Sequence, residues 1–288
     1  MSNEIRILIF GSTGTGKTSL CNALTGQLMQ ANSSGRGNTF ETHTYSPISH
    51  EGRSIFVTDT VGLDESDSGT VPAKDAALQL VELVKASEAG YSLLVHVFRA
   101  PRRTKNHDEN YQFFVDQLTQ NQIPVILVAT GCENEEPMSA WAEANFEVFS
   151  SKGCSYKALI AACFANGGRF EAEYAPLREE SKAAVLEAVL EHSLTEPKKF
   201  FGEDTGQSAE DVVARAWNWF VDWVKLGDKY RIRANETAHS LLIRLGVPRP
   251  FADAAVEHVP DLVNAVARRY LPPGVTNIAQ FLLSKVRR

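Results

Sequence analysis

Gly11-Ser12-Thr13-Gly14-Thr15-Gly16-Lys17-Thr18 is the stretch of this chain whose residue types and spacing point most directly to chemistry. It fits Gly-x-x-x-x-Gly-Lys-Ser/Thr in full, after an apolar run at Ile5–Phe10 and at the head of a helical pattern at Lys17–Thr25. Glycines suit such a loop because its backbone N–H groups must curl round phosphate oxygens in conformations closed to side chains. The helix start, running on through Ser19, adds a field that favours an anion. Lys17 can neutralise β- and γ-phosphate oxygens, and the Thr18 hydroxyl can ligate Mg²⁺.

A second element fits the same chemistry. Asp59-Thr60-Val61-Gly62 follows the hydrophobic run Ser54–Thr58, about forty residues beyond the loop. A carboxylate there can hold Mg²⁺ through water, and the Gly62 N–H can reach a γ-phosphate. Between the two lies the polar, Gly-rich stretch SSGRGNTFETHTYSPI, which carries Thr39, Thr42 and Thr44. A threonine hydroxyl that completes the Mg²⁺ shell would couple the order of this stretch to the γ-phosphate, and spacing favours Thr42 or Thr44.

These residues need a scaffold, and the hydrophobic pattern supplies one. Strand-like runs at Ile5–Phe10, Ser54–Thr58, Ser92–Phe98, Pro124–Ala129 and Ala158–Phe164 alternate with helical patterns at Ala73–Ala89, Asp108–Thr119, Met138–Phe149 and Leu177–His192. Tyr45–Ile48 is expected as one more edge strand, since Pro47 is tolerated only at an edge. The alternation predicts an α/β fold, the three-layer P-loop nucleoside-triphosphatase (NTPase) fold with a mostly parallel sheet, followed by a small all-helical C-terminal region. The expected division is 1–194 for the nucleotide domain, 195–207 for a connector and 208–288 for the helical region. Ser208 and Asp211 form a capping box for a helix to about Lys225. Trp217, Trp219, Phe220 and Trp223 make that helix apolar most of the way round, so it should be buried. Further helices are expected at Ala238–Leu245, Phe251–Val256, Leu262–Tyr270 and Ile278–Val286.

Composition narrows the function classes. The 288 residues are 43% hydrophobic and 22% charged, the balance of a globular chain. The net charge of −6 leaves no electrostatic footprint for a nucleic-acid backbone. Cys21, Cys132, Cys154 and Cys163 show no CxxC pairing, which suits reduced thiols, and no run reaches the roughly 18 apolar residues of a membrane span. A cytoplasmic location is the expectation. His96, in mid-strand, is expected as a satisfied core histidine.

The order GSTGTGKT, a threonine-bearing loop, DTVG and a strand ending in ATGCE resembles the translation-factor-related GTPases. Within that class, the THT before DTVG, the stretch VFRAPRRTKNHDE and the stretch ACFANGG are similar to the immunity-associated GTPases and the plastid import receptors, over about residues 4–193. The resemblance implies GTP or GDP with Mg²⁺, GTP hydrolysis, a possible homodimer through this domain and an effector protein. In those families Asn or Thr, then Lys, any residue and Asp read guanine, the carboxylate accepting from N1–H and the 2-amino group. Thr130-Gly131-Cys132-Glu133 stands at that position. Thr130 fits, Glu133 keeps the carboxylate with one more methylene, and Gly131 replaces the lysine whose stem packs on the base. Ala165 and Asn166 fall where a backbone N–H or amide meets the guanine carbonyl. Leu63 follows DTVG where many GTPases carry a water-positioning Gln, which implies slow hydrolysis without help from a partner or a paired domain. Arg102 or Arg103, just past a strand's carboxyl end, is the candidate arginine finger. Three readings stay open: a GTPase switch, a nucleotide-dependent assembly module, and an ATP-using P-loop enzyme suggested by the imperfect TGCE.

Overall fold

In the computed structural model, residues 3–27, 42–60, 73–227, 230–233, 236–247, 249 and 252–253 are described. Among the described residues seven strands make one sheet: β1 (Glu4–Phe10), β2 (Thr42–Thr44), β3 (Ile48–His50), β4 (Arg53–Thr60), β5 (Leu93–Arg99), β6 (Val125–Thr130) and β7 (Leu159–Ala162). Their order is β2-β4-β1-β5-β6-β7, with β3 also on β4. The β4-β1-β5-β6-β7 pairs are parallel, whereas β2 and β3 run antiparallel to β4. Helices α1 (Lys17–Thr25), α2 (Ala73–Ala86), α3 (Lys105–Tyr111), α4 (Met138–Phe149) and α5 (Glu171–His192) complete the α/β layers.

Alternation along the strands builds two cores. Leu8, Phe10, Leu94, Phe98 and Leu127 point to the face covered by α2, α3 and α4. Ile7, Ile9, Val57, Val95 and Val128 point to the face covered by α1 and α5. Both faces are apolar because both are covered, which is the rule for parallel sheets. The resulting three layers are the expected P-loop fold.

The departures from the sequence pattern have physical causes. The expected edge strand at Tyr45–Ile48 is instead two short strands on either side, because Pro47 has no N–H to give a ladder. β4 runs to Thr60, so Asp59 lies within the strand rather than after it, and Thr60 Oγ1 fastens that end by donating to Ile9 O at 3.0 Å. The helix expected from Asp108 starts at Lys105, capped by Thr104 Oγ1, which accepts from His107 N at 3.3 Å. It then widens to a π-helical segment at Gln112–Leu118.

The capping box of Ser208 and Asp211 opens α6 (Ala209–Trp223). Trp217 is fully buried and donates from Nε1 to Tyr230 O at 2.7 Å. The apolar side of α6 shares the core of α2 and the π-helical segment, with Phe113 against Trp219 at 5.6 Å between ring centroids. A short α7 (Ala238–Arg244) follows. Beyond residues 252–253, the expected helices at Phe251–Val256, Leu262–Tyr270 and Ile278–Val286 lie outside the described residues. All four cysteines are free and buried, and no described helix is long and apolar enough to cross a membrane.

Candidate nucleotide site

The phosphate loop joins β1 to α1 at the carboxyl edge of the sheet, where open α/β folds bind ligands. Gly11, Gly14 and Gly16 all have positive φ, at 143°, 76° and 94°. Gly11 is there for a steric reason as well, since a Cβ on it would lie 2.0 Å from Val97 O in β5. Ser12 O accepts from Thr15 Oγ1 at 2.8 Å, which rounds the loop, while Thr13 and Gly14 at its crest are exposed. Lys17 is buried, and its Nζ donates to Gly11 O at 2.7 Å and Ser12 O at 2.8 Å. The ammonium is thus held across the inside of the loop. Ser19 faces solvent one residue past Thr18.

Asp59 faces Thr18. The Thr18 hydroxyl donates to Asp59 Oδ2 at 3.5 Å, and Asp59 Oδ1 is buried with no hydrogen-bond partner. Burial raises the Asp59 pKa to about 6 against the pull of Lys17 and the Thr18 hydroxyl. A hydroxyl and a desolvated, half-satisfied carboxylate are hard oxygen donors, so this pair fits a divalent cation such as Mg²⁺. Gly62 and Leu63 lie outside the described residues.

The switch threonines require a correction. Residues directly opposite one another in an antiparallel pair share a face, and successive residues alternate. His43 stands opposite Asp59, whereas Thr42 and Thr44 stand opposite Thr60 and Thr58. Both threonines therefore point to the sheet face away from Asp59, and Thr44 Oγ1 lies 3.1 Å from Thr58 Oγ1. Neither is placed to ligate a cation held by Thr18 and Asp59.

Beside the phosphate loop, Thr130 ends β6 and ties two loops together. Its hydroxyl donates to Thr15 O at 2.6 Å, with Phe98 O at 3.2 Å, so its role is to brace the phosphate loop. Glu133 follows on the next loop, and its Oε2 is buried without a partner. A buried carboxylate oxygen with no donor is costly unless a ligand supplies one. Asn166 is exposed, its Oδ1 accepting from Gly168 N at 2.9 Å, and Ala165 O accepts from Arg178 at 3.1 Å.

Sequence reasoning missed Arg99. It ends β5 opposite Thr130 and lies over Gly131, its Cγ and Cζ 3.5 and 3.6 Å from where a Cβ on that glycine would sit. The signal was present in the Gly131 departure itself, because a glycine beside a cation-bearing strand end leaves space for a neighbour's side chain.

The expectation for Arg103 is also corrected. Its Nε donates to Asp108 Oδ1 at 2.6 Å, and its other nitrogens to Val148 O, Phe149 O, Ser151 O and Cys154 Sγ between 2.9 and 3.2 Å. This guanidinium clamps the C-terminal end of α4 and is spent as a finger, while Arg102 beside it is exposed. His96 is the satisfied core histidine expected: its Nδ1 lies 2.8 Å from Tyr156 OH, which lies 3.0 Å from His107 Nε2. Burial holds the pKa of both histidines below the ordinary range, so they are neutral struts behind the loop.

Asp59→Asn separates the cost of this carboxylate from its use. A raised carboxyl pKa means that the folded state holds the proton longer, so its stabilising contribution is complete below 3.8 and lost as pH rises through about 6. At roughly 1.4 kcal/mol per pH unit the ionised form costs about 3 kcal/mol near neutrality. Without nucleotide or divalent cation, Asp59→Asn should melt higher than wild type at pH 7.5 and lose the gain in stability that wild type shows on acidification through 6. With Mg²⁺ and GDP the order should reverse. Melting curves in chelator and in Mg²⁺–GDP check this, and an unliganded variant no more stable than wild type refutes it.

Residues 6–131 match the family described as 50S ribosome-binding GTPase. That stretch runs from β1 to the loop after β6 and holds the phosphate loop, Asp59 and Thr130. Fold and site together define the class: these residues form a domain of the P-loop GTPase fold. No curated protein matches the sequence. Among solved structures, Aquifex aeolicus Era bound to GDP and aluminium fluoride is similar at 20% identity and TM-score 0.48, over 71% of this chain and 61% of that one. Toc33 from Arabidopsis thaliana in complex with GDP and Mg²⁺ is similar at 20% identity and TM-score 0.44, over 66% of this chain and 86% of that one. Elongation factor SelB from Methanococcus maripaludis in complex with the GTP analogue GPPNHP is similar at 17% identity and TM-score 0.41, over 67% and 35%. The chain thus spans less than two thirds of the Era chain and about a third of SelB.

Proposed function

We propose that this chain is a guanine-nucleotide switch that binds GTP and GDP with Mg²⁺ and hydrolyses GTP slowly. The observation that carries the reading is the buried, unpartnered Oε2 of Glu133, on a loop that Thr130 ties to the phosphate loop. A carboxylate held there supplies the two acceptors that guanine's N1–H and 2-amino group require. Adenine offers no such pair of donors.

Catalysis would be positioning and charge neutralisation. The N–H groups of residues 11–18 gather the phosphate oxygens. Lys17 leaves the loop carbonyls for the β- and γ-oxygens, exchanging neutral acceptors for charged ones. Thr18 and Asp59 would hold Mg²⁺, whose charge offsets that of the triphosphate. Leucine at 63 cannot orient water, so turnover of the isolated chain is slow and is raised by an effector or by pairing of two such domains. Arg102, exposed beside the clamped Arg103, is the cation available to such a pair. The helical region from residue 208 supports the domain through α6, packed on α2.

Displacement of a fluorescent GDP analogue tests the base. GTP and GDP should compete and ATP should not, and equal competition by ATP would falsify guanine recognition. Phosphate release per chain should rise with protein concentration, and a flat profile rules out control by pairing.

Arg99 takes over the cover that the missing lysine gives the base elsewhere, since a planar guanidinium stacks on an aromatic face. Arg99→Ala should weaken GDP about tenfold and leave competition by inorganic triphosphate unchanged. Equal losses for both ligands would place Arg99 at the phosphates instead.

A further inference from the structure

The end of the sheet opposite β2 carries an open edge with a groove along it. β7 is last in the strand order, and among the described residues no strand pairs with its outer side. In a parallel ladder the backbone groups of alternate residues turn to opposite sides. Ala158 O accepts from Leu127 N at 2.9 Å and Ala162 O from Cys132 N at 3.3 Å, so residues of that parity face β6. Leu159 and Ala161, between them, turn their N–H and C=O groups outward. Cys163, the next of the outward set, donates its N–H to Ser181 Oγ at 2.8 Å, which closes the open stretch at that end.

The outward backbone lines a groove of about 560 Å³. Ala142 and Phe146 of α4 form one wall, and Ser181 and Ala184 of α5 the other. Three of these four side chains are small, so a single extended chain fits between the helices. The lining carries two carboxylates, Glu143 on α4 and Glu180 on α5, both exposed. Neither has a cation partner among the described residues. The cation of the lining, Lys157, is exposed in the segment that leads into β7.

We propose that this groove binds an extended, basic peptide segment of a partner protein, added to the sheet as a further strand on β7. Backbone pairing with Leu159 and Ala161 supplies affinity without sequence preference, and the walls supply the selection. Successive side chains of the added strand point to opposite walls. A pair of consecutive basic residues therefore offers one cation to Glu143 and the next to Glu180, and apolar or small residues fill the space over Ala142 and Ala184. An acidic segment is repelled by the same two carboxylates. This site is separate from the phosphate loop and does not depend on which base the protein reads.

The probe is a fluorescein-labelled nonapeptide, Lys-Arg-Val-Thr-Val-Thr-Val-Lys-Arg, titrated with the full chain by fluorescence anisotropy. Saturable binding that weakens with salt is expected, and none for the same peptide with Glu in place of Lys and Arg. Glu143→Lys/Glu180→Lys alters exposed positions only and should weaken binding roughly tenfold or more at low salt. Ala161→Pro removes one outward N–H on an edge strand, where proline is tolerated, and should also weaken binding roughly tenfold. If that variant fails to fold, a peptide N-methylated at alternate residues takes its place with the same expected loss. Absence of saturable binding to wild type at millimolar protein overturns the proposal. So does binding that survives both the charge reversal and the loss of backbone pairing. A wild-type dimer in sedimentation that the charge reversal dissociates would assign the groove to a second copy, and would overturn it too.

Discussion

Glu133→Gln is expected to turn a guanine site into a xanthine site. A carboxylate offers acceptors to both N1–H and the 2-amino group of guanine. Glutamine offers one acceptor and one donor, so its amide N–H would confront the 2-amino group. Xanthine carries a carbonyl at that position and accepts the amide hydrogen. Loss of two charge-assisted bonds plus a donor–donor clash should lower GDP affinity by on the order of a thousandfold. XDP should bind the variant far better than it binds wild type. The Oε2 atom is buried with no protein partner, so the same substitution, which removes a buried charge, should raise the melting temperature of the unliganded protein slightly. Titration of both diphosphates against both proteins decides it. A variant that keeps GDP affinity would show that Glu133 does not read the base.

What the sequence revealed and what it hid divide along one line. The phosphate loop was legible because its requirements are local: a strand, eight residues of loop and a helix start are contiguous, and the motif names each part. Asp59 was legible for the same reason, as the end of a strand. The roles of Thr42 and Thr44 were not, because they depend on which residue of β4 each faces, and a one-residue change of register reverses every side chain. Arg103 looked available because its partners, the carbonyls of Val148, Phe149 and Ser151, come from another helix end and leave no trace near it in the chain. Arg99 was hidden likewise, since its approach to Gly131 runs across the β5–β6 pair. Trp217 could be assigned to a core from its neighbours on the helix, but the partner surface, α2 and the π-helical segment, had to be seen.

Gly11→Ala should be the most damaging single methyl group in the chain. The positive φ of 143° is one part of the cost, and the larger part is the 2.0 Å approach of the new Cβ to Val97 O, with Val97 C at 3.1 Å and N at 3.3 Å. Those are backbone atoms of β5, which pairs with both β1 and β6, so they cannot yield without parting a central strand. A loss of about 4 kcal/mol or more follows, which lowers the melting temperature by roughly 10 °C or leaves the chain insoluble. Gly14→Ala is the control in the same loop, because its Cβ would meet nothing within 4 Å. There only the left-handed backbone is strained, at about 1 kcal/mol, so the fold should survive while the crest of the loop fits phosphate less well. Melting curves for the two variants, with GDP titrations on whichever folds, separate the two demands placed on glycine here. Near-equal melting temperatures would mean that β5 yields where this packing says it cannot. The contrast matters for function because the residue that lets the chain leave β1 toward the phosphates is the one pressed against β5, so the nucleotide loop is anchored in the centre of the sheet.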